Sequence, residues 1–130
     1  MAFEGAQIKV PGLKASADLS AKQYYFVKLS GVGTVDVCSA VTDKPIGVLQ
    51  NAPVSGDAAE VCGLGVTKVS SDSALTAGNL IGTSADGQAA PYVAGTDTTK
   101  YICGQAIDTT TAANGLATAT VNCFSIARGA

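Results

Sequence analysis

The chain has 130 residues, enough for one domain and too few for two full ones. Charged residues make up 14% and hydrophobic residues 47%, with 15 glycines, no tryptophan and no histidine. That is too apolar for a disordered chain and too often interrupted by glycine for a helical bundle, so an all-β fold is expected.

The charge balance, eight basic against ten acidic residues, leaves a net charge of -2 and a pI near 4.8. No basic stripe is present to neutralise phosphates, so nucleic acid is not an expected partner. A membrane is not expected either, because no window approaches the ~18 consecutive apolar residues of a spanning helix. The start, Met1 to Val10, lacks the basic and apolar regions of a secretory signal, which implies synthesis in the cytoplasm.

In chain order, residues 1–17 read as an extended N-terminal arm with one short alternating strand, Gln7 to Val10, and residues 18–130 as a single β-rich domain. Gln23 to Leu29 is rich in strand formers, and Gly31 and Gly33 mark the turn into Thr34 to Cys38, which alternates apolar and polar. Asp43-Lys44-Pro45 is turn chemistry ahead of a strand at Ile46 to Gln50. Ala59 to Val69 predicts a longer strand, bent at Gly63 and Gly65. Ser73 to Gly78 reads as a loop or one helical turn, and Asp86-Gly87 as a hairpin signal between Asn79–Thr83 and Gln88–Tyr92. Tyr101 to Ile107 and Thr118 to Ile126 complete a set of short antiparallel strands, as in a small β-barrel or β-sandwich.

A weak internal repeat runs through these elements. Leu19-Ser20-Ala21 recurs as Leu75-Thr76-Ala77, Ile46-Gly47 as Cys103-Gly104, and Gly56 to Cys62 as Gly115 to Cys123. The offset drifts from 56 (Leu19 to Leu75) to 61 (Cys62 to Cys123). Duplicated halves would give this pattern, and so would a bias toward threonine, alanine and glycine.

Chemistry-bearing residues are sparse. Without histidine the commonest general base and zinc ligand are missing, so neither an enzyme nor a metal or cofactor site is expected. Cys38, Cys62, Cys103 and Cys123 form no C-x-x-C pair. Each lies beside strand formers, and two readings stay open: small buried hydrophobes, or disulfides within or between subunits. The carboxylates sit mostly in turns. Asp36 and Glu60, the one pair on strands, lack the aromatic platforms of a glycosidase cleft. Of Tyr24-Tyr25-Phe26, alternate residues face opposite sides of a strand, so one face joins the core and the other is available to a partner.

Taken together, Asp18 to Leu29, Gly33-Thr34-Val35, Pro45-Ile46-Gly47-Val48-Leu49-Gln50-Asn51, Ser55-Gly56 and Leu75 to Gly78 leading to Asp86-Gly87 resemble the small capsid-cement, or head-decoration, proteins of tailed bacteriophages. The resemblance implies a structural virion protein on the outer capsid surface. It would bind the major capsid protein, commonly as a homotrimer, and hold neighbouring capsomers against the pressure of packaged DNA. It also implies an arm that docks apolar side chains on a neighbour. Here those are Phe3, Ile8, Val10 and Leu13, with Tyr24 and Phe26 as further interface candidates. A tail or baseplate component and a carbohydrate-binding β-sandwich, the latter suggested by Tyr92 and Tyr101, are the competing readings.

Overall fold

The computed structural model describes residues 2–129; Met1 and Ala130, the outer ends of the two expected segments, lie outside the described residues. Among the described residues there are twelve strands: β1 (Gln7–Val10), β2 (Lys14–Ala15), β3 (Phe26–Gly31), β4 (Thr34–Val37), β5 (Gly47–Leu49), β6 (Val61–Ser70), β7 (Leu80–Thr83), β8 (Ala89–Pro91), β9 (Tyr101–Ile102), β10 (Gly104–Ala106), β11 (Leu116–Asn122) and β12 (Ala127–Arg128). No helix occurs among the described residues, so Ser73 to Gly78 is a loop. Ten strands form one sheet in the order β2-β4-β3-β5-β6-β11-β10-β7-β8, with β1 alongside β6, and β9 pairs with β12 separately.

That order is the same from either end. The β3–β4 hairpin pairs Val27 with Val37 and Leu29 with Val35, and the β7–β8 hairpin pairs Ile81 with Pro91 and Thr83 with Ala89. Strand β5 then bridges β3 and β6 through Phe26–Val48–Cys62 and Leu49–Val61. Strand β10 bridges β7 and β11 through Leu80–Gln105–Thr120 and Ala106–Ala119. Even the parallel contact of Ala15 with Val35 recurs, as Ser71 with Ala89. The molecule is therefore two copies of one β unit in tandem, with β6 closing the first and opening the second.

Two kinds of glycine show how sequence enforces the repeat. Gly47 and Gly104 hold equivalent places, and a Cβ at either would run into the facing backbone, at Cys62 O and Thr120 O respectively. The tight turns before the closing strands need a left-handed residue, which is Gly56 (φ 89°) in one unit and Asn114 (φ 65°) in the other. Their amides donate to equivalent carbonyls, Ala15 O and Ser71 O. The repeat seen at Leu19/Leu75 and Ile46-Gly47/Cys103-Gly104 thus has its counterpart in the backbone. The third correspondence is shifted: register matches Cys62 with Thr120, not with Cys123.

The strand order runs from β2 to β8 and these two do not pair with each other, so the sheet is not one closed barrel; layers of sheet packed on one another make it sandwich-like. One core cluster lies inside the first unit, with Leu13, Leu19, Val27, Val35, Leu49 and Val61. The other joins the inner face of the second unit (Val69, Leu75, Ile81, Ala106, Ala119) to the outer face of the first (Phe26, Val48, Cys62).

The expected arm is corrected here. Residues 5–10 are extended but run antiparallel along β6, with the Gly5 amide on Val66 O and Val10 opposite Val61. Leu13 and Ala15 share a core with Leu19, so the packing shows no break between residues 17 and 18. Hydrogen bonding to β6 satisfies the backbone donors that a free arm would leave to water.

Candidate functional site

The expected interface residues divide into two groups. Phe3 (53% exposed) and Ile8 (55% exposed) point outward from the N-terminal segment. Phe26 is fully buried and Leu13 nearly so, which removes both as contacts for a partner; each was placed on a partner-facing surface but is spent on its own core. Val10 is half-buried against the first core, beside the surface Lys9–Glu60 ion pair of 3.7 Å.

Tyr24 is also committed within the chain. It sits at φ 68°, a left-handed conformation that a bulky residue rarely takes, in the place where the second unit has Gly78. Both amides donate to the strand facing them, at Leu49 O and Ala106 O. The Lys68 ammonium lies 5.7 Å from the Tyr24 ring centroid. Burial, then the Glu4 charge, pushes the Tyr24 phenol above its ordinary pKa.

All four cysteines are free thiols and buried. Burial is the largest influence on Cys38, pushed up to about 12, and on Cys62, pushed up to about 11. Cys123 is raised mainly by a hydrogen bond with the Cys103 thiol. They behave as small core residues. Among the described residues, no three His, Cys, Asp or Glu side chains are grouped so as to hold a metal ion. Asp36 accepts from the neighbouring Val37 amide and Glu60 pairs with Lys9.

Sequence reasoning did not find one concavity of the surface. It is an open groove of about 550 Å³ over the outer face of the second unit. Leu64 and Val66 of β6, Leu80, Gln105 and Thr120 form its floor, with Ile102 at the rim. No charged side chain lines it among the described residues. The alternation of β11, with Thr118, Thr120 and Asn122 on one face and Ala117, Ala119 and Val121 on the other, was the available signal. It could be used only once the neighbouring strands were known.

Comparison with known proteins gives a fold and no family. No family model matches the chain, and no curated protein matches it in sequence. Among solved structures it is similar to the head fiber gp8.5 N base of bacteriophage phi29, at 17% identity with a TM-score of 0.64. The likeness covers 91% of this chain and 96% of that one. At that identity the likeness establishes a shared fold.

Proposed function

We propose that this chain is a structural protein of a phage head, attached to the outer surface of the capsid, with no catalytic role. The observation that carries the reading is the match of fold to the phi29 head fiber base across nearly the whole of both chains. A shared fold alone does not imply a shared function; what supports the reading further is the sequence resemblance to head-decoration proteins.

The finer reading is that the partner is the major capsid protein and that the chain, as a homotrimer, cements neighbouring capsomers. Many modest contacts repeated over a lattice then resist outward pressure through effective concentration. Phe3 and Ile8 are the candidate contacts that remain exposed.

The test is quantitative mass spectrometry of purified virions, giving copies per major capsid subunit, together with binding of the pure protein to emptied heads. Hundreds of copies and saturable head binding are expected for a cement. A handful of copies would move the protein to the tail or baseplate, and absence from the particle would end the virion reading.

A further inference from the structure

The four thiols differ in what faces them. Cys38, Cys62 and Cys103 are at most 1% exposed and Cys123 is 9% exposed, so a bond between molecules would require the core to open. Within the molecule, Cys103 sits where the chain changes partner: Ile102 before it pairs with Ala127 of β12, and Gly104 after it pairs with Val121 of β11. Its amide donates to Ile81 O at 2.8 Å, and its carbonyl accepts from the Asn122 amide at 2.8 Å. Between Asn122 and Ala127 the chain leaves the ladder, and Cys123 is the first residue of that excursion. Cys123 is thus one place along from the residue bonded to Cys103. With strands about 4.8 Å apart and a rise of about 3.4 Å per residue, that offset sets the Cα atoms about 6 Å apart, within the roughly 4.4–6.8 Å that a disulfide spans.

In a regular ladder this offset would turn the two side chains to opposite faces. Cys103 departs from a regular ladder, because its amide and carbonyl bond to different strands. Gln105, two places on, is exposed, whereas Cys103 is buried in the same core cluster as Cys123. The hydrogen bond between the Cys103 and Cys123 thiols agrees with that placement. Cys123 also borders an open cleft of about 500 Å³ beside Lys28, Asp43 and Ile46, which gives a small oxidant a way in. Cys62 is the rival partner, since the Cys123 amide donates to the neighbouring Gly63 O at 2.7 Å.

We propose that Cys103 and Cys123 form a reversible disulfide pair, two thiols in a reducing medium and one bond once the chain meets a peroxide. Cys123 Sγ attacks a peroxide oxygen, the O–O bond breaks and water leaves, which makes a sulfenic acid; Cys103 Sγ then displaces the hydroxyl as a second water. Two thiols and one hydrogen peroxide give one disulfide and two waters. The bond ties the end of β11 and the start of the excursion toward β12 to the start of β10, and it leaves Cys38 and Cys62 as thiols. It is a property of the chain alone and does not rest on the capsid reading.

Native protein held in millimolar hydrogen peroxide at about pH 8, then quenched and digested with trypsin, tests the pairing. Cys103 and Cys123 share the tryptic peptide Tyr101–Arg128, which contains neither Cys38 nor Cys62. That peptide should lose two hydrogens, free thiols should fall from four to two, and dithiothreitol should restore both. The oxidised protein should melt at a higher temperature, because the bond restricts the unfolded chain. Cys103→Ala should leave Cys123 as a sulfenic acid that dimedone traps; if that variant does not fold, the peptide map of the native chain decides alone. Four results would each overturn the proposal: a link from this peptide to the one carrying Cys62, a link between molecules, a melting temperature that does not rise, or four thiols persisting under peroxide that oxidises the denatured chain.

Discussion

The first and second units share a backbone register but fill their interiors differently. At equivalent inner positions the first unit has Val35, Leu49 and Val61 where the second has Ala89, Ala106 and Ala119. The first therefore closes its core with its own side chains. The second is completed by Phe26, Val48 and Cys62 from the outer face of the first. Backbone pairing can be duplicated exactly as a pattern of turns and glycines, whereas side-chain volume is set by what covers each face.

The widest separation between the units is expected at Phe26 and Leu80, which occupy the same register. Phe26→Ala should cost about 3–5 kcal/mol in denaturant unfolding, because it empties a site filled from both units. Leu80→Ala, in the open groove, should stay within about 0.5 kcal/mol of wild type. Equal losses would mean that the interiors are not divided in this way. Gly47→Ala and Gly104→Ala should instead agree with each other. Each drives a methyl into facing backbone, and overpacking of that kind costs about 1–3 kcal/mol, read as a lowered Tm for both.

Much of this was legible along the chain. Gln7–Val10 is a strand with the bounds its alternation indicated, and Gly87 is a left-handed turn residue, as Asp86-Gly87 suggested. Strand existence follows from local alternation, and turns follow from residues that tolerate positive φ. What stayed hidden is non-local. Phe26 reads as a partner-facing aromatic because nothing near it in sequence shows that β7 and β8 will lie over it. Residues 1–17 read as an arm because β6, the partner of Gln7–Val10 within them, lies more than fifty residues away. The groove is a third case: Val66, Thr120, Gln105 and Leu80 come from four strands that only the sheet order brings into one row.

A smaller effect separates the tight turns. Gly56→Ala places a Cβ at φ 89° and should cost about 1 kcal/mol through backbone strain alone, since open space surrounds the site. Asn114→Gly keeps the backbone free of strain but deletes the acceptor that Gln88 Nε2 reaches at 2.7 Å, a contact without counterpart at Gly56. It should therefore also destabilise, by about 1 kcal/mol, through that hydrogen bond. Thermal melts of the two variants would separate strain from bonding: Asn114→Ala should lose both and fall below either.

The mildest contrast is in alkali. Cys38 and Cys62 lie on the outer side of the first unit, and the second unit has Tyr92 and Thr120 at those places. Burial pushes the two thiols from an ordinary 9.0 up to about 12 and about 11. An unfolded chain releases these protons near pH 9 while the folded chain retains them, so their contribution is intact below pH 9 and is lost progressively from pH 9 up to about 11 for Cys62 and about 12 for Cys38. The melting temperature should fall across that window. Replacing Cys62 with Ala should shallow the slope, after allowance for a constant packing loss, because one buried thiol no longer differs between the states. An unchanged slope would show that Cys62 already ionises in the folded protein, and so that the contact between the units admits water at that strand.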